Sequence, residues 1–276
     1  MVSEPVRSWT VSDSEIYPNA PVVLVAVEIK HPTAAVFGTK ALGAAKRSLA
    51  AVCPLYKPGT LTTMTAVAGS PPDVTTVEVP RFTSRDRTLS VSFRRDALVV
   101  ESTAHERFEQ LRAVLGAAVE ARQAVHPVNG IERMGLRYID EIRVPDANGA
   151  DVPWASWVDD RLLGPALAGV GLGLKPNGWL GLVEFAKSPE HTIALRYGAR
   201  EGYAVDPAGD LRRRTPPPGP FFLLDIDSFW QPAGEVPTVE LGSVLELADQ
   251  LHAPIREMFE ALITDRLRNE VLRRGE

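Results

Sequence analysis

Ile131-Glu-Arg-Met-Gly-Leu-Arg-Tyr-Ile-Asp-Glu-Ile142 lies near the middle of a 276-residue chain, and its reading governs the rest. Alternation along an extended segment puts Arg133, Gly135, Arg137 and Glu141 on one face, and Met134, Leu136, Tyr138 and Ile142 on the other. One face packs and the other carries charge. Either the charged face meets solvent, or its arginines meet carboxylates on a neighbouring strand, with Gly135 leaving room for a backbone or a ligand. The matching carboxylates are Asp225 and Asp227, which share one face of the apolar run Phe-Phe-Leu-Leu-Asp-Ile-Asp-Ser at 221–228. If the two strands are neighbours, Arg133, Arg137, Asp225 and Asp227 form a charge ladder, which Glu184 and Arg196 on the intervening hairpin extend. Such a ladder either fixes strand register or supplies polar anchors to a binding pocket. A cation at Asp225-x-Asp227 with Glu184 is disfavoured by the adjacent arginines.

Upstream of this stretch, Val22 to Lys30 is a β-branched, nearly continuous apolar strand, and residues 39–52 show helical spacing stopped by Pro54. Four short Thr- and Val-rich segments follow: Thr60–Val67, Val74–Phe82, Thr88–Arg94 and Ala97–Glu101. Turn clusters at Gly69-Ser-Pro-Pro-Asp73 and Ser84-Arg-Asp-Arg87 make them antiparallel hairpins. Thr103-Ala-His-Glu106 has the form of a capping box opening a helix through Phe108, Leu111, Leu115, Ala118 and Val119, which His126-Pro127 ends. Downstream the order is similar. The arginine strand leads to a short helix at Pro153–Leu163, then to a glycine-rich stretch ending in Lys175-Pro-Asn-Gly178. A hairpin, Trp179–Ala186 with His191–Tyr197, reverses at Ser188-Pro-Glu190; Arg200–Pro220 is a long surface loop. After the Asp225/Asp227 strand, a final helix carries Leu241, Val244, Leu245, Leu251, Ile255, Phe259, Leu262 and Ile263, and Pro254 is expected to kink or split it.

Strands in consecutive groups closed by long helices imply an α+β fold: a curved antiparallel sheet from two similar strand-helix-strands-helix halves, with long helices packed on one face. The expected organisation is an N-terminal arm at 1–17, a first half at 18–128 and a second at 129–276, the halves forming one compact unit.

The chemistry is narrowed mainly by what is missing. A net charge of −5 argues against a nucleic-acid groove, and no apolar run is long enough for a signal peptide or a membrane span, which places the protein in the cytoplasm. The single cysteine, Cys53, reads as a buried structural thiol. There is no phosphate-binding Gly-x-x-x-x-Gly-Lys loop and no Gly-x-Ser-x-Gly elbow, and Gly169-Val-Gly-Leu-Gly173 lacks the context of a dinucleotide fingerprint. His31, His105, His126, His191 and His252 are too scattered for a metal helix and read as surface or capping residues. No cofactor, metal or catalytic residue is therefore expected. Arg212-Arg-Arg214 reads as part of a solvated loop, and Trp154 and Trp157 as core.

Four segments together carry a resemblance: Asn19-Ala-Pro-Val-Val23, Arg133-Met-Gly-Leu-Arg-Tyr-Ile-Asp140, Leu224-Asp-Ile-Asp-Ser-Phe229, and Leu251-His252 through Phe259 to Ile263-Thr-Asp265. They resemble a sporadically distributed, uncharacterised family of bacterial and archaeal proteins of similar length, whose signature is an Arg-x-Gly-Leu-Arg-Tyr-Ile-Asn strand; Asp140 departs from its Asn. The resemblance implies kinship of fold, and the family's patchy distribution implies a defence or toxin–antitoxin setting. The resulting expectation is a non-enzymatic protein-binding or regulatory protein with a protein partner. The alternative is a small-molecule-binding or hydrolytic domain with a cavity between sheet and helix, anchored by the arginines and aspartates.

Overall fold

The computed structural model describes residues 15–65, 73–145, 147, 152–174, 176 and 178–274. The chain runs β1 (Val22–Lys30), α1 (Thr39–Ser48), β2 (Leu55–Tyr56), β3 (Gly59–Thr65), β4 (Asp73–Val79), β5 (Arg81–Thr83), β6 (Leu89–Phe93), β7 (Ala97–Ser102) and α2 (Phe108–Val125). It continues through β8 (Arg133–Ile142), α3 (Gly164–Gly171), β9 (Gly181–Ala186), β10 (His191–Gly202), β11 (Gly219–Trp230) and α4 (Leu241–Leu262). Among the described residues, nine strands form one open antiparallel sheet in the order β2-β5-β6-β7-β1-β8-β11-β10-β9, and β3 and β4 form a separate hairpin. The fold is α+β.

The arginine strand β8 is central, paired with β1 on one side and β11 on the other. Its even-numbered residues Met134, Leu136, Tyr138 and Ile142 are buried with Val25, Val27 and Ile29 of β1 and Phe222, Leu224 and Ile226 of β11. Helices α2 and α4 pack on each other and on this face, against β7, β8 and β11, while α1 packs on α2. Burial of this one face is the main favourable term in folding. Trp154, Trp157, Val158 and Leu162 join the core, and Cys53 is fully buried, its thiol pushed up to about 12 by burial.

Several local expectations change. Pro80 separates β4 from β5, because its ring removes the N–H that would continue the ladder. The Thr103–Glu106 capping box does not form: the Thr103 hydroxyl donates instead to the carbonyls of Thr88 (3.2 Å) and Arg212 (2.5 Å). Helix α2 therefore begins only at Phe108, leaving His105 in an extended segment. Residues 153–163 make two single turns, Trp154–Ser156 and Asp160–Leu162, and the helix here is α3, inside the glycine-rich stretch. The long loop is shorter than expected, 203–218, since Arg200–Gly202 pair with Gly219–Phe221. Pro254 sits buried within α4, which is continuous through it.

Most of that loop is exposed, Arg212 and Arg214 included, but Arg213 ties it down. The Arg213 side chain is 2% exposed and lies 3.4 Å from Glu141, which also pairs with Arg143 (3.1 Å) and accepts from the Ala204 amide (3.0 Å). Within the expected N-terminal arm, the Tyr17 hydroxyl donates to Glu260 (3.0 Å) and Glu15 pairs with Arg273 (2.6 Å). Residues 1–14, the first four residues of the Gly69–Asp73 turn, and Lys175 and Asn177 lie outside the described residues. No helix among the described residues is long and apolar enough to cross a membrane.

Leu136 is 0% exposed and Leu182 is 58% exposed. Leu136→Ala is expected to lower unfolding free energy in urea by about 2–5 kcal/mol. Leu182→Ala is expected to change it by no more than about 0.5 kcal/mol.

Candidate functional site

Strands β8 and β11 are neighbours, with Asp227 opposite Arg137 and Asp225 opposite Ile139. Arg137 nevertheless reaches diagonally to Asp225, with Nε to Oδ1 and a terminal nitrogen to Oδ2 both at 2.6 Å. Arg196, opposite Asp225 on β10, lies 3.6 Å from the same carboxylate. Arg133 stands 3.5 Å from both Asp227 and Glu28, stacks on Phe229 at 4.4 Å, and Glu28 also meets Arg94 at 3.1 Å. Glu184 is exposed on the edge strand opposite Ala194 and makes no ion pair among the described residues. The space over Gly135 is taken by Arg133 itself, whose guanidinium would lie 2.8 Å from an added Cβ. The ladder thus occupies the sheet face opposite the helices and lines none of the principal cavities.

On the helix-covered face, the same strand builds something else. Tyr138 and Asp140 point toward α2 and α4 and wall a cavity of about 740 Å³ that opens to solvent and is also lined by Glu15–Pro18 and Ala20–Val22. Successive residues on one strand face stand about 7 Å apart, which fixes the spacing of this pair. The Tyr138 hydroxyl is 3.1 Å from His105 Nε2, and the two rings meet edge to face at 5.1 Å. His252, from α4, stacks flat on Phe108 at 4.0 Å and lies 5.9 Å from the Tyr138 ring. Asp140 is 5% exposed and makes no hydrogen bond to the described residues.

Burial sets the protonation states. It pushes the Asp140 carboxyl up to about 8, and the negative charge of Asp225, across the sheet, pushes the same way. His105 is held down to about 4 by burial and by its neighbour His252. His252 is also held down to about 4, by burial and by Arg256, against the opposing pull of Glu109 and Asp249. Burial likewise raises the Tyr138 phenol. Burial thus favours the protonated carboxyl and the neutral imidazoles, the reverse of their order in water. Such an arrangement can donate a proton and accept one within a single site.

Sequence reasoning placed His105 and His252 among surface or capping histidines; the structure brings them together. The available signals were slight. Asp140 is a carboxylate on the apolar face of a strand, and His252 shares the spacing of Ile255 and Phe259 along the buried stripe of α4. His105 was hidden by the capping-box pattern around it. Among the described residues, no group of three or more His, Cys, Asp or Glu is placed to hold a metal ion. No protein-family model matches the chain, and no curated protein matches it.

The inverted protonation order predicts two limbs in stability against pH. Asp140 has a raised folded value, so its contribution is full at low pH and is lost as pH climbs from the ordinary carboxyl range through about 8. The two imidazoles have depressed folded values, so theirs is full above 6.5 and is lost as pH falls toward about 4. In thermal melts across this range, Asp140→Asn is expected to flatten the alkaline limb and His105→Gln the acid limb. Melting curves for the variants that run parallel to the parent would contradict both assignments.

Proposed function

We propose that the protein binds a small molecule in the cavity between the sheet and α4 and serves it with general acid–base chemistry. The observation that carries this reading is Asp140, a carboxyl 5% exposed and without a protein hydrogen bond, opening into a space of about 740 Å³. With no protein partner, this carboxyl is free to meet a polar group of a ligand. Asp140 is the acid in this reading. His105, oriented by the Tyr138 hydroxyl, and His252 are the bases. Hydrolysis needs only this set and a water: the carboxyl protonates the departing group while an imidazole takes a proton from the attacking water. The Arg137–Asp225 ladder has a structural part, joining β8 to β11 behind the site.

The test is a fragment screen read by NMR on the His105 and His252 ring signals. Binders that move both rings are expected, and a broad library that moves neither would sink the reading. For any substrate so found, Asp140→Asn is expected to reduce kcat about 10²-fold or more, with little change in KM.

A protein partner, in the defence or toxin–antitoxin setting implied by the sequence resemblance, is the second reading, and a separate feature favours it. Among the described residues strand β9 pairs only with β10, and Leu180, Leu182, Val183 and Phe185 are 57%, 58%, 37% and 43% exposed. The opposite edge, β2, is two residues long and flanked by Pro54 and Pro58, devices that discourage pairing. An extended apolar segment of a partner would add to β9 through main-chain hydrogen bonds. Fluorescence anisotropy with apolar strand peptides should then show binding that the double change Val183→Lys with Phe185→Lys weakens; equal binding by parent and variant would exclude the β9 edge. The proposal extends to origin: two equivalent halves of one curved sheet, descended from a duplication. It is supported by the outward orders β1-β7-β6-β5 and β8-β11-β10-β9 on either side of the central pair.

A further inference from the structure

The charges around the cavity narrow the chemistry of what it takes. Two of the wall's carboxylates are already answered: Glu15 pairs with Arg273 at 2.6 Å, and Glu260 meets both Tyr17 (3.0 Å) and Arg268 (3.0 Å). Glu106, Arg107 and Glu109 are exposed at the rim. Arg256 differs from all of these. It is half-buried on α4, one turn beyond His252, and makes no hydrogen bond or ion pair among the described residues. The half-buried part of the wall thus holds one guanidinium without a protein partner among the described residues.

We propose that the cavity binds a small molecule bearing a carboxylate or a phosphate, with that oxyanion held by the guanidinium of Arg256. This assignment rests on the ligand-site reading given above. The planar fork of an arginine matches both oxyanions with two parallel hydrogen bonds, and in a partly enclosed site such charge-assisted bonds are the strong ones. A cationic ligand meets the same guanidinium with like charge, and a neutral one leaves it unpaired.

Binding would be linked to proton uptake. His252 faces Arg256 and Asp249 on its own helix, Phe108 and Glu109 from α2, Tyr138 from β8, and His105 from the segment before α2. Asp249 is engaged by Arg112 at 2.8 Å. An oxyanion on Arg256 offsets the positive charge that helps keep His252 neutral, so His252 takes up a proton more readily in the complex.

Four probes test the assignment on the full chain: inorganic phosphate, benzoate, benzamide and benzylamine, each titrated to millimolar concentration while the His252 ring signal is followed by NMR across pH. Benzoate, phosphate or both are expected to bind and to raise the midpoint of the His252 titration, whereas benzamide and benzylamine bind at least about tenfold more weakly. Arg256→Gln is expected to remove that preference with an unchanged melting temperature, and Arg256→Lys, which keeps the charge but loses the fork, to restore part of it. Benzamide or benzylamine binding as tightly as the anions overturns the oxyanion assignment and leaves the cavity standing as a ligand site. Anion binding that survives Arg256→Gln overturns the role of Arg256. No response to any of the four probes overturns the oxyanion assignment, and the ligand-site reading falls with it only if the broader fragment screen is also silent.

Discussion

The two-residue period of one strand sets most of this molecule. β8 is hydrogen-bonded on both sides, so its side chains can point only toward the helices or away from them. Arg133, Gly135 and Arg137 go one way, and Met134, Leu136, Tyr138 and Asp140 go the other. A single segment thereby supplies the centre of the hydrophobic core, the inner wall of the cavity and the basic half of the ion-pair network. No shift in pairing keeps all three, because moving by one residue would drive both guanidiniums into the core.

The two faces are coupled by charge as well as by chain. Asp225 is held by Arg137 and Arg196 on the open face, and its remaining negative potential acts on Asp140 across the thickness of the sheet. Burial is the larger influence on Asp140, and on the two imidazoles as well. Phe108, Ile255 and Phe259 contribute the apolar part of the surrounding wall. Arg256 also opposes charge on His252. Packing and titration are one problem here: whatever wets the cavity returns these groups toward their solution behaviour.

Much of the architecture was legible because it rests on short-range rules. A β-branched apolar run located β1, alternation located β8 and β11, turn chemistry located the β6–β7 and β9–β10 hairpins, and periodicity located α2 and α4. The neighbouring of Arg137 and Asp225 was also readable, since like-faced opposite charges on two central strands rarely have another place to go. The diagonal choice of partner was not, because it depends on side-chain reach rather than register. The cavity was not readable either. Its parts come from four segments more than 200 residues apart at the extremes, and the Thr103 side chain, just before His105, is engaged by the carbonyl of Arg212. Contacts of that range leave no local pattern. The N-cap motif was overridden by tertiary bonding, and with it went the clue to His105.

The outer wall of the cavity is made by residues 15–22, and what fastens it comes from the far end of the chain: Tyr17 to Glu260, a separation of 243 residues, and Glu15 to Arg273, a separation of 258. Local hairpins and helices can form as synthesis proceeds, but these contacts wait until residues 260 and 273 have been made. Until then the strand face that bears Tyr138 and Asp140 lacks this wall, so the stretch 15–22, among the first residues synthesised, is among the last to settle.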